Sequence, residues 1–448
     1  MTGKLNVKRT ILVGFAFFLI SAFWQSYDKI IPLILTERFG MNQTTSGFIM
    51  SLDNIFAVVM LPLFGALSDN LSPKISKKYG RRTPFILLGT VIAAVFYIFL
   101  SFAPSLWLFI LLLLAVLISM ATFRSPAVAL MPDVTEKPLR SKGNAIINLM
   151  GTAGGISVLA VGLVIKTGES HAKNYPIYVA TICAIMIAAL IVFLLTVKEV
   201  PWAQEAEARN RALEASAPTT QPTEGAKEHH KLSRAECISL CLILASVALW
   251  FTGYNAVTSK FSVYVEAVLP PRDPITGETL GDPVVSYDLA LIIAQIAAII
   301  TYIPVGLIAS RIGRKKSILT GIVMLSTAFG FAALINAGTS PILMYLLFAL
   351  AGIGWATINV NSFPMVVELA TGSDVGKYTG YYYTASMTAQ IITPILSGFL
   401  VDTLGWGVFF PYAAIFASLS FVTMLFVKHG DAKPEKKSSL LEHLDTDD

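Results

Sequence analysis

The stretch Leu61-Pro62-Leu63-Phe64-Gly65-Ala66-Leu67-Ser68-Asp69, followed after a basic insert by Gly80-Arg81-Arg82, decides the fold. A second version, Gly306-Leu307-Ile308-Ala309-Ser310-Arg311, leads directly to Gly313-Arg314-Lys315-Lys316. Each copy is an apolar run that ends in small residues and a short basic loop. Around each lie six apolar stretches of about 20 residues or more, enough to cross about 30 Å of hydrocarbon. The spans read as 10–36, 45–68, 83–102, 105–131, 141–165 and 177–197, then 235–260, 286–310, 316–337, 340–367, 377–400 and 405–427. Duplicated halves of this kind build a central site that opens to one side at a time.

The expected fold is therefore an all-α membrane protein of twelve transmembrane helices in two pseudo-symmetric bundles. Residues 1–197 form the first bundle, 198–234 a cytoplasmic linker, 235–428 the second bundle and 429–448 a cytoplasmic tail. The halves also match inside the membrane. Ala121-Thr122-Phe123-Arg124 returns as Ala356-Thr357-Ile358-Asn359, and Asp133 matches Glu368 at the same offset. Arg124 thus corresponds to an uncharged Asn359 in the other half, a place where symmetry was broken.

Composition agrees. The chain is 55% hydrophobic and 14% charged, against about 25% charged in soluble proteins. The net charge of +5 sits in loops, which excludes nucleic acid as an expected partner. Lys74, Lys77, Lys78, Arg81, Arg82, Lys137, Arg140 and Lys142 crowd alternate loops, which places both termini in the cytoplasm by the positive-inside rule. Residues 198–234 read as a short surface helix, with Glu205, Glu207, Arg209, Arg211 and Glu214 at helical spacing, then a linker broken by proline. The insert at about 267–285 reads as a solvated outer loop, with a cap over the entrance as the alternative. Cys183, Cys237 and Cys241 read as plain buried thiols.

No nucleophile triad, phosphate-binding loop, His-Glu-x-x-His or metal-spaced cluster is present, so an enzyme is not expected. A nucleotide-driven pump is excluded on the same ground, and the energy source is an ion or solute gradient. Charges inside the membrane point to function by default. Asp28 in the first span and Asp53 in the second both lie about 12 Å below the outer surface at 1.5 Å per residue. They are candidates for binding a cation or carrying a proton, Asp53 first. The plain alternative pairs Asp28 with Lys29.

Arg124 lies about 10 Å above the inner end of its span, with Asn148 at a similar height. It is a candidate for a substrate oxygen, with a pairing to Asp133 as the alternative. Tyr254, Asn255, Trp355, Asn359 and Gln390 supply the amides and rings that sugars need, or else ordinary packing. Asp69 paired with Arg81 or Arg82 would latch the inner face, with Arg314 in the second copy.

On these residues the chain resembles the major facilitator superfamily. Gly80-Arg81-Arg82-Thr83-Pro84-Phe85 and Ala129-Leu130-Met131-Pro132-Asp133 make it similar to the glycoside–pentoside–hexuronide:cation symporters, near plant sucrose transporters and their bacterial relatives. The resemblance implies uptake of a sugar or glycoside coupled to a proton or sodium ion. The chain is expected to work as a monomer in a cell (inner) membrane, with no cofactor beyond the coupling ion. Plant sucrose transporters place an Arg directly before Ala-Leu-x-x-Asp, where this chain has Val128. Melibiose-type symporters place two Asp residues ahead of the proline, where this chain has Ala57 and Leu61, which favours a proton over sodium. The expected function is proton-coupled disaccharide or glycoside symport. A proton-coupled exporter of hydrophobic compounds and a non-transporting membrane sensor are the alternatives.

Overall fold

A computed structural model describes residues 5–168, 171, 174–216, 233–369 and 375–430. The linker beyond 216 and the tail beyond 430 lie outside the described residues. The helices of the first half are α1 (Val7–Leu33), α2 (Gln43–Asp69), α3 (Pro73–Tyr79), α4 (Thr83–Ser101), α5 (Leu106–Val134), α6 (Arg140–Val164) and α7 (Tyr175–Thr196). Then come α8 (Glu199–Ser216), α9 (Arg234–Val268), α10 (Tyr287–Ile312), α11 (Arg314–Ala332), α12 (Pro341–Val367), α13 (Val375–Leu404) and α14 (Phe409–Leu425). Among the described residues, 11 are long and apolar enough to cross a membrane. The remaining span, α11, opens on three basic residues and packs between α12 and α14. The protein is thus a multi-pass, all-helical membrane protein.

Membrane helices satisfy their backbone internally, which is why prolines such as Pro62, Pro126 and Pro394 are tolerated inside them. The ends are set by side chains. Asn42 Oδ1 accepts from the Thr45 amide at 2.8 Å to start α2, and Ser233 with Glu236 makes a reciprocal cap for α9.

Each half has its own apolar core. Phe23, Tyr27, Tyr97, Phe109 and Tyr178 are fully buried in the first, and Trp250, Phe261 and Phe409 in the second. Between the halves, α2 lies along α13, α6 along α10, and α1 along α9. Because α1–α7 and α9–α14 each contain six spans, both described ends fall on one side, here called the termini face. The opposite side is the far face. There α2 and α13 touch backbone to backbone: a Cβ on Gly47 would lie 2.0 Å from the Pro394 carbonyl oxygen, and one on Gly398 would lie 2.2 Å from that of Gln43.

Both loop segments carry ties that the sequence does not show. The expected surface helix, α8, is docked on the first half. Its Glu199 carboxylate accepts the backbone N–H groups of Arg81, Arg82 and Thr83 at 2.5, 2.9 and 2.8 Å. Its Arg209 pairs with Glu136 at 2.6 Å and its Glu205 with Arg9 at 2.6 Å. The insert after α9 is tied across the far face, with Asp282 on Lys166 at 2.6 Å. Cys183 is buried as expected, but Cys237 and Cys241 are exposed, because the start of α9 lies at the edge of its half.

Candidate functional site: a polar cavity between the halves

A cavity of about 190 Å³ lies between the halves, lined by Trp24 and Asp28 of α1, Met50, Asp53 and Asn54 of α2, Arg124 of α5, Asn255, Thr258 and Ser259 of α9, and Gln390 and Pro394 of α13. Five residues singled out from sequence meet here: Asp28, Asp53, Arg124, Asn255 and Gln390. They come together because each sits near the middle of its span and faces the same interface.

Asp53 accepts from the Asn54 backbone and side chain at 2.6 and 2.8 Å. The Arg124 guanidinium lies over the Trp24 ring, 5.5 Å from its centre, and within electrostatic reach of Asp53. Two carboxylates and one guanidinium leave the lining one positive charge short of balance, so a single proton or monovalent cation evens it. The Trp24 indole N–H and the Asn255 amide nitrogen are buried donors that no acceptor among the described residues satisfies. Buried donors cost free energy unless paired, so the cavity favours a ligand rich in oxygen acceptors.

Other candidates lie elsewhere. Tyr254 and Trp355 stack on each other, rings 3.7 Å apart and 9° from parallel, outside the cavity lining. Asn359 is buried within α12, its carbonyl accepting from Ser362 at 3.4 Å. Asn148 lies on α6 one turn before Thr152, which donates to its carbonyl at 3.1 Å; neither residue lines the cavity.

The basic-loop residues form bonds inside each half. Arg82 pairs with Asp69 at 2.6 Å and Asp133 at 2.8 Å, and also donates to Ser68. Burial alone would lower the Arg82 guanidinium, but the hydrogen bonds and charges of Asp133 and Asp69 outweigh it and hold it above its ordinary value. Arg81 is exposed and takes no part through its side chain. Arg314 pairs with Glu368 at 2.5 Å. The Asp133–Glu368 correspondence between halves is thus also a correspondence of partners. Asp133 is taken by Arg82, so the alternative pairing of Arg124 with Asp133 does not occur.

Sequence reading passed over Trp24, Asn54, Thr258 and Ser259 in the lining. It also gave no role to Asp288, Lys260 and Asp402 near the far face. Lys29 bonds Asp288 of α10, at 2.9 and 2.7 Å, and not its neighbour Asp28. Lys260 of α9 donates to the Gln43 carbonyl at 2.9 Å. Asp402 of α13 accepts from the Gln43 and Thr44 amides at 2.8 and 2.7 Å. Lys260 and Asp288 were visible as charges within spans, and the rule applied to Asp28 and Asp53 applies equally to them.

The chain is similar to known proteins over nearly its whole length. It is 23% identical over 427 residues to an uncharacterized MFS-type transporter of Methanocaldococcus jannaschii, covering 94% of this chain and 95% of that one. It is 22% identical over 380 residues to the class B tetracycline resistance protein of Escherichia coli, covering 82% of each. Its fold is that of the xylose transporter XylE from E. coli in an inward open conformation, with a TM-score of 0.65 at 14% identity, covering 98% of this chain and 99% of that one. The nucleoside transporter NupG gives a TM-score of 0.64 at 16% identity, covering 94% of this chain and 100% of that one. The model of the Major Facilitator Superfamily matches residues 13–271 and 267–444, so this chain, a secondary transporter and not an enzyme, belongs to the Major Facilitator Superfamily.

Proposed function

We propose that the protein imports a sugar or glycoside together with a proton, by alternating access, as a monomer in the cell (inner) membrane. The observation that carries this reading is the cavity lining: two carboxylates, one arginine, three amides, two hydroxyls and one indole, drawn from both halves. Hydroxyls of a sugar match this mixture of donors and acceptors, and an apolar ring face matches Trp24. At about 190 Å³, below the roughly 300–1,000 Å³ of most ligand pockets, the cavity suits a compact ligand in this state. A disaccharide requires the halves to part further. The resemblance to glycoside–cation symporters supports the same substrate class.

Asp53 is the proposed proton carrier, since it lines the cavity within electrostatic reach of Arg124, with Asp28 second. Asp28, Arg124, Asn255 and Gln390 hold substrate. Protonation of one carboxylate leaves Asp⁻ and Arg⁺ balanced, the cheapest charge state for the cavity to carry between two faces. The termini face is proposed as cytoplasmic because Lys74, Lys77, Lys78 and Arg81 lie on it. Asp69, Arg82 and Arg314 then stiffen the inner ends of each half, the part they play in gating.

The test is external pH in lightly buffered cells expressing the protein, as mono- and disaccharides and glycosides are added one by one with and without sodium. Alkalinisation on one sugar, abolished by an uncoupler, supports the reading. Asp53→Asn should then lose uphill uptake and keep exchange. Similarity to the tetracycline resistance protein favours a second reading, proton-coupled export of aromatic compounds. No sugar response, with expression lowering cell content of such a compound, would replace the first reading by the second.

A further inference from the structure

The far-face seam contains a buried charge pair with its own seat. Lys29 and Asp288 are 3% and 5% exposed. The Lys29 ammonium donates to both Asp288 oxygens and lies 4.9 Å from the Tyr178 ring centre and 5.7 Å from that of Tyr287. One turn nearer the cavity, Gln25 accepts from Gln295 Nε2 at 2.8 Å and donates to the Tyr287 hydroxyl at 3.4 Å. Gln25 and Lys29 share a face of α1, and Asp288 and Gln295 share a face of α10.

The third helix, α6, supplies the hollow. A Cβ on Gly162 would lie 2.2 Å from Asp288 Oδ1, and one on Gly155 would lie 3.3 Å from Gln295 Oε1. The two glycines are spaced as the two polar residues are, so α6 presents a groove cut to this ladder. Any larger residue at 162 displaces the carboxylate that Lys29 holds. Asp28, which lines the cavity, is the residue just before Lys29, so the cavity and the lock share one turn of α1.

We propose that Lys29–Asp288, seated in the α6 glycine groove, is the outer gate of this transporter. The pair closes the far face in this structure and parts each time the cavity opens to that side. Neither charge can be left dry in an apolar seam, so parting draws water down the Gln25–Gln295 ladder towards Asp28. The assignment takes the far face as the outside, the orientation proposed above, and is independent of the substrate.

The test uses the full chain with Cys183, Cys237 and Cys241 replaced by alanine and Thr258→Cys as a reporter in the cavity. A membrane-impermeant maleimide is added to intact cells. Thr276→Cys, in the exposed far-face loop, reports orientation on its own. Should it be protected, the comparison is made on inverted vesicles, where the same changes are required.

Lys29→Met and Asp288→Asn should each raise reporter labelling by about tenfold or more, because each strands one buried charge. The double variant Lys29→Met/Asp288→Leu strands none, and should label more slowly than either single variant. Gly162→Ala keeps both charges and should raise labelling too, which tests the seat even where a charge variant fails to fold. Wild-type labelling in both single variants and in Gly162→Ala, or a double variant whose effect is the product of the two singles, would overturn the gate.

Discussion

At the far face, Lys29 of α1 bonds Asp288 of α10, and Asp402 of α13 bonds the first amides of α2. At the termini face, Arg82 bonds Asp69 and Asp133, all in the first half, and Arg314 bonds Glu368, both in the second. The groups are the same in kind, but the far-face bonds join the halves and the termini-face bonds do not. A rocking motion of one half against the other must break the first set and can leave the second untouched. The seam therefore decides which side is open, while the inner networks keep each half rigid enough to rock as a body.

That contrast is sharpest in a pair of truncations. Asp288→Ala leaves the Lys29 ammonium buried without a carboxylate, a loss of about 3–5 kcal/mol for breaking a buried pair. Arg82→Ala leaves Asp69 and Asp133, whose side chains are 56% and 38% exposed, free to hydrate, so the loss is about 1–3 kcal/mol. Both should lower the melting temperature in detergent, Asp288→Ala by more. Only Asp288→Ala should also raise labelling of a cavity cysteine from outside. An equal rise in Arg82→Ala would break the comparison.

Glu199 comes next in expected effect. Its carboxylate takes three backbone amides at the start of α4 and the Thr83 hydroxyl at 2.7 Å. Glu199→Ala strands these donors and should cost about 2–3 kcal/mol. Because Glu199 also holds α8 onto the first half, limited proteolysis should then cut within residues 199–216, with no change in which face is open. Resistance equal to wild type would mean that Arg9–Glu205 and Arg209–Glu136 alone dock α8.

The twelve spans were legible because an apolar run of membrane length has few other readings. Helix ends moved by only a few residues, chiefly at α9, which continues to Val268, since Lys260 is buried at the seam and does not mark an end. Much of the cavity was legible too, because Asp28 and Asp53 are charges at matching depth and Arg124 is a third charge within a span. What the sequence hid was partnership. Lys29 beside Asp28 suggests a local pair, yet successive residues on a helix point about 100° apart, and Lys29 turns to α10 instead. Tyr254 and Trp355 carried the composition of a sugar site but satisfy each other by stacking, a tertiary fact with no local signal.

Between the large and small effects stands Asp402→Asn. Asp402 caps α2 across the seam, a carboxylate at a helix start worth about 1 kcal/mol. It is exposed, so its loss should raise far-face labelling less than Asp288→Ala does. If the two matched, burial would not be what makes the Lys29–Asp288 lock strong.

The smallest effect belongs to the outermost tie. Lys166 hydrogen-bonds Asp282 and holds its carboxyl below the ordinary 3.8. A depressed acid stabilises only while ionised, so this tie is fully present above its ordinary value and is lost as pH falls below it. Between pH 5 and 8 the strap over the far face should stay in place, and hydrogen exchange of residues 273–284 should show no pH-specific opening. An exposed pair contributes about 0–1 kcal/mol, so Lys166→Ala should speed that exchange only a few-fold and leave cavity labelling unchanged. A large rise in cavity labelling would place the strap, together with the buried pair beneath it, in control of the far face, and the division between a decisive seam and passive surface ties would fail at this point.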